Sequence, residues 1–156
     1  GLTLLLHRSY APLAAMGLRY LATHQPDEVT RERVGQGECH VAFASGVLVG
    51  TILFRPADRT AGCPWYDRPG VASFGQFAVA PEWQARGVGG RLMDLVEGRA
   101  AATGAEEIAL DTAEAAGHLI ALYTRRGYRF VGHARWRQTN YRSVVMSKRL
   151  RRVGAV

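Results

Sequence analysis

The stretch VAPEWQARGVGGRL, residues 79–92, places Gly87, Gly89 and Gly90 between a β-rich run and a run with helical spacing. Glycines this close together serve a backbone that must take unusual dihedral angles or come near another group. A helix N-terminus presents unpaired N–H groups and about half a positive charge, so bare backbone there can receive a phosphate directly. Whatever fold the chain adopts must set a strand, this loop and a helix in succession.

The surrounding pattern extends that constraint. Residues 71–79 read as the strand, and Val88, Leu92, Leu95 and Val96 recur at helical spacing until Gly104. Downstream come a short strand at 107–111, an amphipathic helix at 115–126 stopped by Gly127, and two closing strands at 128–133 and 141–147. Upstream, helical patterns occupy 2–10, 14–21 and 27–34, the last starting after Pro26. Two β-rich runs then flank Ser45-Gly46 as a tight hairpin, and residues 57–70 form a loop carrying Trp65 and Tyr66. The hairpin excludes a uniformly parallel sheet. The expected fold is α/β, one domain over residues 1–156, with a mixed, mostly antiparallel central sheet flanked by helices.

Three phosphate-binding loops compete for the glycine segment. A P-loop needs a lysine at its end, and the only lysine is Lys148. A dinucleotide fingerprint matches Gly87, Gly89 and the later Asp111, but its third glycine falls on Leu92, and residues 81–86 separate the strand from the first glycine. The third pattern is Gln or Arg, two residues, Gly, one residue, Gly or Ala, met as Gln84-Ala85-Arg86-Gly87-Val88-Gly89. With it, Leu122-Tyr123-Thr124-Arg125-Arg126-Gly127-Tyr128 follows at an offset of 36 residues from Gly87 to Tyr123. In these paired motifs, over residues 71–133, the sequence resembles the GNAT superfamily of acyl-CoA N-acyltransferases.

The resemblance implies splayed strands at the cofactor site and acetyl-CoA as acyl donor. Backbone groups of Phe77, Ala78 and Val79 would hold the pantetheine arm, with the Val79 N–H as oxyanion donor. The N–H groups from Ala85 through Gly87, Val88 and Gly89 to Gly90 would cradle the pyrophosphate, with Gln84 and Arg86 in support and Arg126 near the phosphates. Tyr123 would give its proton to the departing thiolate, a competent role for a phenol with a pKa near 10. The acceptor would be a primary amine on a small molecule or peptide, acetylated by direct attack in a ternary complex. Two departures stand out: Ala116 replaces the asparagine common seven residues before the tyrosine, and residues 71–80 offer only Ser73 and Gln76 as polar side chains. Neither is a base at neutral pH. Water-linked Glu82, Glu114 and His118 remain open for that role, and none is assigned.

Charge and cysteines supply the remaining bounds. The net charge is +7, yet the last 42 residues hold nine Arg and one Lys with no Asp or Glu, so residues 1–114 sum to −3. That asymmetry marks either a polyanion site or a solvated basic face. A nucleic-acid binder stacking bases on Trp136 and Tyr141 is thus a competing class. A second is an acyl-CoA sensor with little turnover. Cys39 and Cys63 have no metal-ligand spacing and make no disulfide framework, so no metal is expected and a cytoplasmic setting is. No run of about 18 apolar residues occurs, so no membrane partner is expected, and the start has no basic leader. A homodimer through residues 141–147 is the expected assembly.

Overall fold

The computed structural model describes residues 1–151. Its first helix, α1 (Leu2–Ala15), runs through Pro12 without interruption. The helices expected at 2–10 and 14–21 are therefore one helix followed by a 3-10 turn at Leu21–Thr23. Proline removes one intrahelical donor, but Pro12 lies on the exposed side with three helical residues beyond it. The last turn is held by Leu13, buried against Leu18, Tyr20, Ala113 and Ala116. α2 (Asp27–Val34) begins after Pro26 with Asp27 and Glu28 in its first turn, where carboxylates face the positive end of the helix.

β1 (Glu38–Ala44) and β2 (Val47–Arg55) form the expected hairpin, with Ser45 and Gly46 both at positive φ, as a two-residue turn of primed type requires. After the loop come β3 (Val71–Val79), α3 (Val88–Ala102), β4 (Glu107–Ala113), α4 (Gly117–Arg125), β5 (Arg129–Ala134) and β6 (Ser143–Arg149). One six-stranded sheet orders them β1-β2-β3-β4-β6-β5, and only the β3–β4 pair is parallel. The result is the mixed, mostly antiparallel α/β sheet that the hairpin and the strand-helix alternation imply.

Helices cover both faces. On one, Leu92, Met93 and Val96 of α3 and Tyr123 of α4 pack on Ile52, Phe54, Ala72 and Phe74. On the other, Leu6 of α1 meets Ala22 and Ala78, and Leu5 meets Val49 and Ala80. α3 lies close to the sheet because Gly50 leaves room: a Cβ there would stand 3.0 Å from Val88 Cγ1 and 3.1 Å from Leu92 Cδ1. The 57–70 loop packs onto the molecule through Cys63 and Tyr66, against Val71, Ala109 and Val145.

The sheet order bears on how residues 141–147 could meet a second copy, which is not by edge pairing. β6 pairs with β4 on one side and β5 on the other, so the strand at 141–147 that was to make a dimer has no free edge. Among the described residues, no helix is long and apolar enough to cross a membrane.

Candidate functional site

Between β3 and β4 the sheet opens. Their pairing covers only Val71↔Glu107, Ala72↔Ile108 and Ser73↔Ala109. Beyond that point β3 stays with β2 as far as Val79↔Gly50, while β4 stays with β6 as far as Ala113↔Ser143. Residues 74–79 and 110–113 therefore diverge into a wedge. A bulge in β3 sets its lining: the register against β2 slips between Thr51 and Leu53, and Gln76 takes φ 48. The extra residue puts Phe74 and Phe77 on the α3 face together, their rings 6.0 Å apart edge to face, and turns Gln76 toward Gln25 on the α1 face.

Backbone direction follows from register. Ala80 N–H donates to Val49 C=O at 2.8 Å, so by the two-residue alternation of an antiparallel ladder Ala78, opposite Thr51, also faces β2. Val79 then turns its backbone into the wedge, where its carbonyl accepts from Gln84 Nε2 at 3.1 Å. Phe77 C=O accepts from the Tyr10 hydroxyl at 2.9 Å. Of the three residues expected to hold a pantetheine arm, Phe77 and Val79 present backbone to the opening and Ala78 does not.

The glycine loop lies at the wedge's mouth. Ala85 and Gly87 have φ of 61 and 87, and Gly87 is the N-cap of α3 with no side-chain cap bond. The first intrahelical bond over this cap runs from Arg91 N–H to Gly87 C=O, so the N–H groups of Val88, Gly89 and Gly90 have no partner within the helix. The first turn contains no acidic residue. A Cβ on Gly89 would meet Phe77 Cζ at 3.2 Å, so glycine lets the helix start sit against β3. These are the properties of an anion cradle, and they fit the phosphates of a coenzyme A thioester. Arg126 reaches the same place, its Nη1 3.8 Å from where a Gly90 side chain would begin, while its Nη2 is held by Asp94 at 2.8 Å and Glu97 at 3.3 Å. Arg86 lies over the Trp83 ring at 4.8 Å.

Tyr123 is buried on α4 with its ring 6.2 Å from Phe74 and 6.1 Å from Tyr128. Burial, with Tyr10, Tyr20 and Asp111 nearby, pushes its pKa well above the ordinary phenol value, so it holds its proton throughout the neutral range. Four of the six tyrosine hydroxyls have partners: Tyr10 with Phe77, Tyr20 with Thr112, Tyr66 with Asp111 and Tyr128 with Glu97. Tyr123 and Tyr141 keep theirs uncommitted among the described residues. Ala116, in place of the family's asparagine, is fully buried in a cluster with Leu13 and Tyr20.

On the α2 side of the wedge lies a cavity of about 480 Å³, lined by Tyr10, Arg33, Arg55, Gln76, Asp111 and Tyr141 among others. In the sequence Asp111 enters only as the acidic match to a dinucleotide fingerprint. Here it stands just past the end of β3–β4 pairing, accepting from Tyr66 at 2.6 Å and from Trp136 Nε1 at 2.9 Å. The acids weighed as bases lie elsewhere: Glu82 is tied to Arg8 and Glu114 to Arg142, both exposed, and His118 is exposed. The Asp111 signal was legible only as a carboxylate ending a strand. Among the described residues, no cluster of three His, Cys, Asp or Glu side chains is arranged to hold a metal.

Comparison with known proteins places this geometry. The family model described as the acetyltransferase (GNAT) family matches residues 8–128. The chain belongs to the GNAT acetyltransferase family. Its members are acetyltransferases that draw the acyl group from acetyl-CoA. An S-(2-succino)cysteine N-acetyltransferase of Bacillus subtilis (strain 168) is 28% identical over 126 residues, 78% of this chain and 72% of that protein. Among solved structures, PH1933 from Pyrococcus horikoshii OT3 superposes with a TM-score of 0.73 at 19% identity, over 96% of this chain and 88% of that one. A GNAT family acetyltransferase from Elizabethkingia anophelis, solved with acetyl-CoA bound, gives 0.62 at 17% identity over 80% and 84%. At these identities the structural likeness concerns the fold.

Proposed function

We propose that this GNAT chain transfers the acetyl group of acetyl-CoA to the primary amine of a small molecule or peptide, by direct attack in a ternary complex. The observation that carries the reading is the wedge between β3 and β4, which opens on one side to the capless, acid-free start of α3 and on the other to a cavity whose lining includes Arg33, Arg55 and Asp111. The N–H groups of residues 85–90 bind the pyrophosphate, and Gln84 braces the loop through Val79 C=O. The Phe77 and Val79 backbones line the pantetheine arm. The amine nitrogen attacks the thioester carbonyl carbon, and the developing oxyanion takes a hydrogen bond from Val79 N–H. As the C–S bond breaks, Tyr123 gives its proton to sulfur. The phenolate recovers a proton released by the amine nitrogen, so one proton moves from nitrogen to sulfur overall.

The curated relative, an N-acetyltransferase by its name, supports nitrogen as the acceptor atom. Asp111, at the wedge and in the cavity, pairs with the incoming ammonium and keeps it near the thioester; the ammonium gives its extra proton to solvent water before attack, so that the neutral amine is the nucleophile. Three of the nine arginines after residue 114 are drawn, among the described residues, into pairs with carboxylates, Arg126 with Asp94 and Glu97, Arg129 with Glu107, and Arg142 with Glu114, and so is Lys148 with Glu97. That use of the basic segment favours a structural role for it over nucleic-acid binding.

The test is thermal and calorimetric. Acetyl-CoA at 100 times its dissociation constant stabilises a protein by about 2.7 kcal/mol, roughly 5–10 °C in Tm at this chain length. Neither a shift nor heat of binding at millimolar acetyl-CoA would falsify the donor assignment. A shift without coenzyme A release in single-turnover assays over an amine panel would leave an acyl-CoA sensor.

A further inference from the structure

The cavity beside the wedge holds charged side chains that acetyl-CoA does not address. Arg33 of α2 and Arg55 at the end of β2 both line it, and among the described residues neither has a carboxylate within ion-pair distance. Arg33 is half-buried, and burial followed by the proximity of Arg55 works against its charge. Arg55 spends its Nε on Ser73 Oγ at 3.3 Å, and its Nη2 lies over Gly75, 3.3 Å from where a side chain there would begin. Arg33 and Arg55 thus share the cavity with Asp111 and Glu32 but touch neither, and guanidinium groups partly desolvated without a contacting anion are costly.

A buried relay adds a third donor. Arg33 Nη1 donates to Gln25 Oε1 at 2.8 Å, and because a guanidinium can only donate, this fixes the orientation of the Gln25 amide. Gln25 Nε2 must then donate, and it does so to Thr30 Oγ1 at 2.7 Å and to Gln76 Oε1 at 3.1 Å. That in turn fixes Gln76, whose Nε2 is left without a partner although the residue is only 3% exposed and lines the cavity. Its backbone is held at φ 48, a conformation unfavourable for a non-glycine residue. The amide is thus locked, with an unpaired Nε2 buried in the wall of the cavity.

We infer that the acceptor is an amine that also bears a carboxylate, of the amino-acid class, with the carboxylate held by Arg33, Arg55 and Gln76 Nε2. Asp111 stands on the opposite strand of the wedge, so the same molecule meets a carboxylate at its ammonium end and guanidinium groups at its anionic end. The cavity, about 480 Å³, falls in the range of small-molecule sites. The inference rests on the acetyltransferase reading above and narrows its acceptor.

The experiment uses matched amines with and without the α-carboxylate: phenylalanine against phenethylamine and lysine against cadaverine, with phosphoethanolamine as the arm for a different anion. Coenzyme A release gives kcat/KM for each, and calorimetry of N-acetylphenylalanine against N-acetylphenethylamine reads the anion site without turnover. The expected result is a preference of roughly 10- to 100-fold for the carboxylate member of each pair, the scale of losing a charge-assisted hydrogen bond. Arg55→Gln removes most of that preference and Arg55→Lys restores part of it, while the thermal shift with acetyl-CoA certifies the fold of both variants. Equal kcat/KM within each pair, together with equal binding of the two acetylated products, overturns the inference and leaves the acetyltransferase reading intact. Preference for phosphoethanolamine over every carboxylate overturns it in favour of a phosphate-bearing amine. Loss of the acetyl-CoA shift would instead strike the donor assignment.

Discussion

Tyr123 shows how a residue's chemistry depends on what its neighbours leave undone. At helical spacing from Leu119 it reads as core, and it is core, in contact with Phe74 and Tyr128. Its hydroxyl alone separates it from Tyr128, which packs in the same cluster but is committed to Glu97 at 2.9 Å. Burial holds the Tyr123 proton tightly, so a loss of kcat through phenol ionisation belongs above the ordinary phenol pKa of about 10. Tyr123→Phe removes the proton and little volume. We expect kcat to fall roughly 100-fold or more, the usual scale for a general acid, with acetyl-CoA affinity changed less than twofold by calorimetry. A variant that turns over like the parent would move the proton donor elsewhere, and Tyr141, the other uncommitted hydroxyl, is the next to test. The role proposed for Tyr123 is legible only because its motif lies downstream of the glycine loop. Gln76 and Asp111 stood out in the sequence as polar residues, but their places in the cavity were not legible, since one depends on a bulge and the other on where strand pairing stops.

At the level of elements, α3 is built against its own stability. A helix start ordinarily takes Ser, Thr, Asp or Asn as a cap and acids in its first turn, and α3 has neither, with glycine at 87, 89 and 90. Such a start was legible in the sequence as a composition that returns nothing to the fold, and its position at the wedge supplies the reason. The wedge itself was not legible from residues, because strands 71–79 and 107–111 look alike whether they pair fully or over three residues. Likewise Pro12 reads as a helix stop, whereas burial of Leu13 carries α1 through it. The α3 argument makes an asymmetric prediction for Gly90→Glu, where a Cβ meets nothing nearer than 3.8 Å. Replacing glycine in a helix gains roughly 0.5–1 kcal/mol, and a carboxylate at the N-terminus adds about 0.3–1 kcal/mol, so Tm without ligand rises. The same carboxylate occupies the phosphate cradle, and acetyl-CoA affinity falls at least tenfold. A variant that is less stable, or that binds acetyl-CoA normally, would refute the cradle assignment.

Across the whole molecule, the uneven charge of the sequence becomes a set of ties between its halves. Arg126 and Lys148 converge on Glu97, Arg129 reaches Glu107, and Arg142 reaches Glu114. Arg142–Glu114 is an exposed pair, of the kind that contributes at most about 1 kcal/mol, whereas Glu97 and Glu107 are largely shielded from solvent. The titration of the fold is set instead by its tyrosines, because all six have pKa values raised first of all by burial. The sign follows from linkage. In the unfolded chain these phenols ionise near pH 10, while in the native state they remain protonated, so above about that pH the unfolded state binds fewer protons and stability falls as pH rises. Below it their contribution is complete and independent of pH. Cys63, also raised by burial, adds an earlier, shallow decline from about pH 8.5, where an unfolded thiol ionises. Thermal melts should therefore show Tm nearly level through neutral pH, sloping gently above about 8.5 and dropping steeply beyond about 10, each retained phenol proton adding roughly 1.4 kcal/mol per pH unit to the slope. Phenolate absorbance should appear together with unfolding rather than before it. Phenolate forming in the folded protein near pH 10 would mean that the tyrosine cluster around the wedge is open to water, and with it the dry site that proton transfer from Tyr123 requires.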